Sequence, residues 1–372
     1  YLTGNPQITF FKVVYRRHTN FSMEAIEQTI NGSIDTGARL TTTISRNGDL
    51  ISRVYHEITT GSGTADNSGA LAFDTIELEI GGQGIDKITG YWMEVWAELN
   101  EPNPSAHIGT SGSSDGTNFQ NMSAMGGSVG AASKVNINVP LPFWFCRNPG
   151  LALPLIALQY HEVKLITTLS STSDNAPAAL KTWVDYIYLD TDERRRFAQV
   201  SHEYLIEQLQ YQTDTKTSFD INFNHPVKEL IWVLQTPLVL ENKAEYGIEW
   251  FNFSDRSEAA AGTPTDLLHE AKIQFEGQDR FLKRRAKYFR DVQPFQHHTA
   301  IPQNFIYNYS FALNPEKHQP SGTCNFSRID NAILRLYMPN GGNSEDLNLN
   351  IYATNYNIFK IKSGMGGVEY TD

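Results

Sequence analysis

The chain has 372 residues, 40% of them hydrophobic and 19% charged, which is typical of a globular protein with a sizeable core. Its formal net charge of −11 argues against a broad nucleic-acid-binding surface, because such a surface needs clustered lysine and arginine, but it leaves room for a local basic patch. The sequence lacks a run of about 18 apolar residues, so we expect no transmembrane helix, and it shows no recognisable signal peptide either.

The first 21 residues predict an extended arm rather than a helix. Their apolar residues lack helical spacing, and Gly4 and Pro6 disfavour a helix. The arm is basic at Lys12, Arg16, Arg17 and His18. Since the chain begins with Tyr1 instead of methionine, we expect further residues before it.

Strands are predicted immediately after the arm. The residue pattern indicates strands at 23–30 and 39–58, separated by a turn at 31–33. Asn47-Gly48 has the composition of a two-residue hairpin turn and predicts that the flanking strands pair with each other.

A polar loop is predicted at 60–70, followed by an alternating strand at 74–80 with one apolar and one acidic face. Gly81-Gly82 ends this strand in a tight turn. A short helix comes next, because apolar residues recur at helical spacing at Tyr91, Trp92, Val95, Trp96 and Leu99.

Residues 101–134 are rich in Gly, Ser, Ala and Asn and predict a long surface loop, because they contain too few apolar residues to repay their ordering entropy in a core. Loops of this length usually carry function. A second polar loop is expected at 170–180.

Between these loops lies a segment that we interpret as the core of the first half. It contains a strand-like aromatic run at 143–145, a Pro-Gly turn at 148–150, an aliphatic crossing at 151–158 and an alternating strand at 163–169. Pro154 lacks a ladder donor and is expected at a strand edge or bulge. The predicted buried side chains are Leu153, Leu155, Ile156 and Leu158.

A domain boundary is predicted within 189–199, where charged residues cluster and regular apolar patterning stops. The strand before it, 183–189, reads as buried on both faces. The second half has its own long loop at 236–266. Its predicted strands are 203–212, 218–224, 228–235, 271–276, 305–313, 328–338 and 347–361.

A weak internal repeat suggests that the two halves are duplicates. The matches are 26–28 with 206–208, 44–51 with 221–231, 78–83 with 273–278, and 149–150 with 321–322. Four short matches in the same order favour duplication of one β domain, and seven or eight strands per half fit two consecutive antiparallel jelly rolls.

Motifs for catalysis or metal binding are incomplete. The His-Glu pairs beginning at 56, 161 and 202 lack the second histidine of a zinc helix, so we favour ordinary polar positions. Residues 190–192, Asp-Thr-Asp, have the spacing of a metal-binding glycosyltransferase motif, but the adjacent charges favour a solvated or interdomain salt-bridge cluster. A metal site at His297-His298 is the less favoured alternative to two polar side chains.

The sequence does not exclude a Ser-His-Asp triad, because the geometry of a triad is spatial. However, no G-x-S-x-G motif supports one. We therefore assign no catalytic, cofactor-binding or metal-binding residue and expect no enzyme. Cys146 and Cys324 are expected to be reduced thiols, with one disulfide between them as the alternative.

Sequons for N-glycosylation predict surface positions where they fall in loops. Asn121 and Asn252 lie in the two long loops and are the main candidates, whereas Asn20, Asn31 and Asn308 are weaker. Asn325, next to strand-like residues, is expected to be at least half buried.

Several segments, taken in chain order, resemble the major capsid proteins of large icosahedral eukaryotic DNA viruses, in particular those of algal viruses. The most characteristic is NPGLALPLIALQYHEVKL at 148–165. The others are YLTGNPQITFFKVVYRRHTNF (1–21), QTINGS (28–33), ISRNGDLI (44–51), FAQVSHEYLIEQLQ (197–210), PSGTCNFSRIDNAIL (320–334) and NIYATNYNIFKIKSGMGG (350–367).

The resemblance implies a double jelly roll, with an N-terminal jelly roll at 1–198 that includes the arm 1–21 and a C-terminal one at 199–372. Three copies would form a pseudo-hexagonal capsomer that contacts neighbouring capsomers and minor capsid proteins beneath the shell. The resemblance also implies assembly in the cytoplasm of the infected cell, surface glycans, long loops facing outward and the basic arm facing inward over an internal membrane.

A carbohydrate-binding or carbohydrate-processing jelly-roll protein is the alternative. Trp92, Trp96 and Trp250 could stack on sugar rings in such a protein. The two hypotheses differ in oligomeric state and sugar affinity, because a capsid protein should form a stable trimer that is inert toward glycans.

Overall fold

The fold is taken from a computed structural model of the chain. The structure describes residues 4, 11–13, 15, 18–60, 67–101, 117–127, 136–173, 175–236, 250–255, 265–302, 304–339 and 347–371.

Strands dominate these residues. They are β1 Phe21–Gln28, β2 Ile30–Asn31, β3 Arg39–Thr43, β4 Leu50–Thr59, β5 Phe73–Ile80, β6 Gln83–Thr89, β7 Asn136–Pro140, β8 Leu153–Pro154, β9 Val163–Leu169, β10 Ala179–Leu189, β11 His202–Asp214, β12 Ser218–Asp220, β13 Pro226–Gln235, β14 Glu270–Phe275, β15 Gln278–Asp279, β16 Arg284–Arg285, β17 Tyr307–Ser310, β18 Cys324–Asn325, β19 Ala332–Tyr337, β20 Asn348–Lys362 and β21 Met365–Val368.

The helices are short and lie between strands. They are α1 Ser68–Leu71, α2 Gly90–Asn100, α3 Asn118–Ser123, α4 Trp144–Arg147, α5 Thr191–Gln199 and α6 Gln293–His297. Single turns of 3₁₀ helix occur at Pro149–Leu151 and Phe326–Arg328, and a π-helix at Tyr288–Val292 runs into α6.

Four antiparallel sheets form two sandwiches. In the first, the sheet β1-β10-β4-β7, with β8 also paired to β4, faces β2-β3-β9-β5-β6. In the second, β11-β20-β13-β17, with β18 and β21 attached, faces β12-β19-β14-β15, with β16 attached. Every strand pairing among the described residues stays within 21–189 or within 202–368. The predicted double jelly roll with short helices in its loops is confirmed.

The two sandwiches have the same strand order, which explains the internal repeat. The β5–β6 hairpin turns at Gly81-Gly82 and the β14–β15 hairpin at Glu276-Gly277, and all four residues have positive φ, as type I′ turns require. The amide of Ile44 donates to Val163 and that of Ile221 to Ala332, at matching positions. The sequence matches at 44 with 221 and at 78–83 with 273–278 are therefore in register.

A second shared feature is a one-residue bulge in the central strand. Asp185 pairs with Arg53 and the next residue of β10 with Ile51, so one residue of β4 is skipped. In the second sandwich Thr354 pairs with Glu229, and β13 skips one residue in the same way. The bulges equate β4 with β13 and β10 with β20 residue by residue. The sequence matches at 26–28 and 50–51 lie in equivalent strands but four residues out of register.

Two local predictions are wrong. Asn47-Gly48 does not close a hairpin, because β3 and β4 belong to different sheets and the chain crosses between them. A Cβ atom on Gly48 would lie 2.7 Å from the Tyr186 side chain, so close packing against β10 is one constraint on this glycine. The aromatic run at 143–145 begins α4 instead of forming a strand.

Three expectations about loops and burial also need correction. Residues 117–127, inside the predicted surface loop, contain α3 and are largely buried, and Ser68–Leu71, inside the predicted polar loop, is helical. The remainder of the loops at 101–134 and 236–266 lies largely outside the described residues. The strand predicted at 183–189 starts earlier and is buried on one face, because Trp183 and Asp185 are only half buried.

The core segment behaves largely as predicted. Leu153, Leu155 and Leu158 are buried, but Ile156 is partly exposed and its prediction was wrong. Pro154 pairs at the end of the two-residue edge strand β8, so its missing donor breaks no central ladder. Asn148 accepts a hydrogen bond from the amide of Gly150 and starts the turn.

Candidate functional site at the junction of the two sandwiches

An apolar junction joins the sandwiches through α2. The side chain of Thr89 accepts a hydrogen bond from the amide of Trp92 and caps the helix. Trp92 is completely buried, and its ring centroid lies 5.3 Å from that of Tyr352 in β20. Tyr91 meets Phe251 edge to face at 5.1 Å. The core of the first sandwich therefore continues into the second.

Ion pairs cross the same junction. Glu207 of β11 lies 2.8 Å from Arg147 at the end of α4 and 2.8 Å from the buried ammonium of Lys228. Lys228 also donates to the carbonyl of Pro315 at 2.7 Å, and the Arg147 guanidinium lies 4.0 Å from the ring centre of Trp96. Burial lowers the pKa of Lys228, while Glu207 and Glu229 oppose that shift. One carboxylate thus compensates two cations, one from each sandwich.

A buried histidine extends the network. The His298 side chain is fully buried, with Nε2 2.8 Å from Glu229 and Nδ1 3.1 Å from Glu316. Burial alone would lower its pKa, but the two carboxylates outweigh burial and raise the pKa to about 9. The imidazolium also lies 3.3 Å from Oδ1 of Asn100, the last residue of α2. His298 is therefore a charged structural group at neutral pH.

Two carboxylates of α2 are buried on its other faces. Glu94 accepts hydrogen bonds from the amides of Gly126 and Gly127 and from Asn67, which hold the segment after α3 against the helix. Burial, reinforced by the charge of Glu98, raises the pKa of Glu94 to about 8. Glu98 accepts from the amide and side chain of Asn304 in the second sandwich.

Strand edges meet directly beside these charges. The side chain of Gln208 in β11 donates to the carbonyl of Ile85 in β6, and the amide of Leu209 donates to Asp86 at 3.1 Å. Burial raises the pKa of Asp86 to about 6 despite these donors. The edge of β6 thus covers the edge strand β11. Polar groups that satisfy one another across a packed junction hold the two units in a single relative orientation.

Comparisons with known proteins identify the family of the chain. Residues 9–190 match the family model described as the major capsid protein N-terminus, and residues 193–367 match that of the large eukaryotic DNA virus major capsid protein. The chain is 45% identical over 412 residues to the major capsid protein of Pyramimonas orientalis virus, covering 100% of this chain and 96% of that protein. With the major capsid protein of Paramecium bursaria Chlorella virus 1 it is 43% identical over 434 residues, with coverages of 100% and 96%.

The chain belongs to the major capsid proteins of large eukaryotic DNA viruses. Solved structures agree with this assignment. A quasi-atomic model of the PBCV-1 virus capsid matches with a TM-score of 0.80 and 40% identity, covering 98% of this chain and 100% of that one. The Faustovirus major capsid protein shares the fold with a TM-score of 0.72 at 13% identity, with coverages of 95% and 93%. The protein is thus a structural component of a virus capsid.

His56 and the tryptophans singled out in the sequence pack within the fold of this capsid protein. His56 is buried between Thr182 and Thr167 and, because of that burial, its pKa is lowered to about 4. Within the described ranges, no three His, Cys, Asp or Glu side chains are placed to hold a metal ion. Trp92 is completely buried, and Trp96 and Trp250 are partly buried and pack against the same apolar cluster. The comparisons give no support to the carbohydrate-binding alternative.

The acidic and basic cluster at 189–199 is a capped helix. The side chain of Asp190 accepts from the amides of residues 192 and 193, and Arg194 lies 3.0 Å from Asp49. The free thiols Cys146 and Cys324 form no disulfide, and burial raises the pKa of Cys146 to about 12. No helix in the described part of the chain is long and apolar enough to cross a membrane.

The sequon asparagines differ in access to solvent. Asn121, Asn252 and Asn325 are all partly buried, so the expectation that the first two are exposed was wrong, whereas the expectation that Asn325 is at least half buried is confirmed. Asn20 and Asn31 are exposed, and Asn308 is fully buried in β17. The predictions failed at Asn121 because α3 packs the loop against α2, and the sequence gives no strong signal for this packing.

Proposed function

We propose that three copies of this major capsid protein form a trimeric, pseudo-hexagonal capsomer that tiles the icosahedral shell. The observation that carries the proposal is the repetition of one strand order in a single chain, with the two sandwiches joined by a packed and charge-paired junction. A ring of three such chains contains six similar units, and a hexagonal outline suits the tiling of flat facets.

The proposed domains are an N-terminal jelly roll at 1–198, including the arm 1–21, and a C-terminal jelly roll at 199–372. Support comes from strand pairing that separates 21–189 from 202–368 and from the limits of the two family-model matches. Helix α5 occupies the connection, with no buried residue of its own.

We further propose that the two long loops face outward and that the basic arm faces inward toward minor capsid proteins above an internal membrane. Assembly in the host cytoplasm and contacts between neighbouring capsomers follow from the same proposal, which requires neither a cofactor nor direct contact with nucleic acid. Asn121 and Asn252 stay the proposed glycan sites because both are partly accessible, with Asn20 and Asn31 as accessible alternatives. Full burial argues against Asn308.

Size-exclusion chromatography with light scattering tests the proposal. We expect a species of three times the 41.9 kDa chain mass, with a six-cornered outline in negative-stain images. A stable monomer at capsid-assembly concentrations would contradict it. Glycan-array binding distinguishes the carbohydrate-binding alternative, for which a monomer with measurable sugar affinity is expected.

A further inference from the structure

The outer faces of the two equivalent sheets differ in burial. In the second sandwich, Glu229, Ile231 and Tyr352 on the outer face of β13 and β20 are all buried. Ile231 and Tyr352 belong to the same apolar cluster as Trp92 of α2. The helix that follows β6 of the first sandwich therefore covers this face of the second.

The corresponding face of the first sandwich is open. The shared bulge equates Glu229, Ile231 and Tyr352 with Arg53, Tyr55 and Trp183. Arg53 is exposed, and the rings of Tyr55 and Trp183 stack at 6.4 Å while both stay half buried. The adjoining edge strand β1 exposes Phe21 and Met23. We call the outer surface of β1, β10 and β4 the open face.

The second sandwich has a helical segment in the position that α2 occupies in the first, and the outer side of this segment is exposed. The π-helix and α6 follow β15 and β16 as α2 follows β6. Phe289 and Pro294 point into the sandwich, whereas Val292 is exposed and Phe295 is 76% exposed. Phe295 and Val292 thus form a small exposed apolar surface on the outer side of this segment, and aromatic side chains are enriched at protein interfaces.

We propose that the open face is covered by the helical segment 288–297 of a second copy of this chain, as α2 covers the second sandwich within one chain. The inference rests on the proposed trimer and specifies its contacts. Repeating the internal junction between copies makes a heterologous interface, with a helix on one side and a sheet on the other. Such an interface closes into a ring of three when each copy is rotated by a third of a turn relative to the next.

The strand edges supply complementary charge. Within the chain, Gln208 and Leu209 contact Ile85 and Asp86. Gln208 of β11 and Glu24 of β1 occupy equivalent positions. Gln208 lies opposite the β20 residue at the bulge, and Glu24 lies opposite the β10 residue at the bulge. Arg280 takes the position in the second sandwich that Asp86 has in the first. The backbone amide of Arg280 donates to the carbonyl of Ile273, which is the next step of the β14–β15 ladder.

Glu24 and Arg280 are both exposed, so the equivalence predicts an ion pair between copies. Their surroundings agree in sign. Strand β1 carries two glutamates and no basic residue. The segment after β15 exposes a basic run, Arg280, Lys283, Arg284, Arg285 and Lys287. Opposite charges along two facing edges orient the copies and select the register.

Charge exchange tests the pairing on two exposed side chains. The variants Glu24→Arg and Arg280→Glu, each alone, should move the trimer-to-monomer midpoint to about tenfold higher protein concentration. The double variant should return to within about threefold of wild type, because the pair is restored with reversed polarity. Sedimentation equilibrium over a dilution series measures the three midpoints.

A second pair of variants tests the apolar contact. Phe295→Asp should be monomeric where the wild type is trimeric, with an unchanged circular dichroism spectrum. Tyr160→Asp is the matched control, because this ring is 75% exposed but packs on Gly364 of the same chain, and it should stay trimeric.

The outcomes separate the two proposals. A wild-type protein that never forms trimers contradicts the proposed function. If the wild type is trimeric but Phe295→Asp and the single charge reversals assemble as well as Tyr160→Asp, this inference alone is overturned. It is also overturned if the double charge variant assembles no better than the two single variants.

Discussion

Removing the shared carboxylate at the junction should destabilise the whole chain. Glu207 is 8% exposed and lies 2.8 Å from both Arg147 and Lys228, and the Lys228 side chain is completely buried. Glu207→Gln keeps the size of the side chain and one acceptor oxygen but removes the negative charge. Lys228 then keeps the Pro315 carbonyl and at most a neutral amide oxygen from the glutamine, so Glu229 is the carboxylate that still acts on its charge.

The expected loss is large because desolvation of the ammonium is no longer offset. Removing one partner of a buried ion pair typically costs about 3–5 kcal/mol. Since glutamine retains an acceptor, we expect about 3 kcal/mol, at the lower end of that range. For a unit of roughly 150–250 residues, that corresponds to a fall in Tm of roughly 6–12 °C.

Differential scanning calorimetry measures this change against a control on the same strand. Glu203 in β11 is 69% exposed and lies 3.5 Å from Lys360, so Glu203→Gln should cost less than about 1 kcal/mol. The double variant Glu207→Gln/Lys228→Met should recover part of the loss, because it removes the unpaired charge. If Glu207→Gln melts together with Glu203→Gln, the junction network does not stabilise the fold as argued.

Three further predictions concern packing, pH and modification. Leu155→Ala should cost roughly 2–5 kcal/mol and reduce the yield of soluble trimer, whereas an unchanged Tm would show that this segment is not core. The pKa of His298 is raised from 6.5 to about 9. Its contribution to the free energy of unfolding, roughly 3 kcal/mol, should therefore be complete below pH 6.5 and lost as the pH rises through about 9. Urea titrations should show that His298→Gln lacks this pH-dependent component, and identical pH profiles of the two proteins would contradict the prediction. Peptide mass mapping of virion protein should find any N-glycan at Asn121 or Asn252 and none at Asn308, and a glycan on Asn308 with bare loops would refute the burial argument.

Local chemistry was sufficient to predict one strand and the glycine turn that ends it, but not the strand Gln83–Thr89 that completes the hairpin. The alternation of residues 74–80 and the Gly81-Gly82 turn are properties of adjacent residues, so both were predicted correctly. Asn47-Gly48 has equally good turn chemistry, yet no hairpin forms there. Whether two strands pair depends on which sheet each joins, and a turn sequence carries no information about that.

The junction was not predictable from its residues. His298 follows another histidine in a polar segment, and its partners Glu229 and Glu316 are distant in sequence. Glu207 occurs within an ordinary alternating strand, with its two cations 60 residues before it and 21 residues after it. Sequence spacing reports contacts within one helix or strand, whereas these contacts depend on how two complete sandwiches are placed.

The sequence by itself determined the class of fold, the duplication and the family, because strand periodicity, turn residues and repeated motifs are local and recur in order. The tertiary structure decided which faces are covered. Equivalent strands with similar alternation have one outer face buried by α2 and the other left open, since coverage depends on a helix that only the second sandwich receives within the chain. That difference arises from the placement of one unit against the next. The alternation of apolar and polar residues along a strand can be read from the sequence, but whether a face of the sheet is buried depends on the assembled fold.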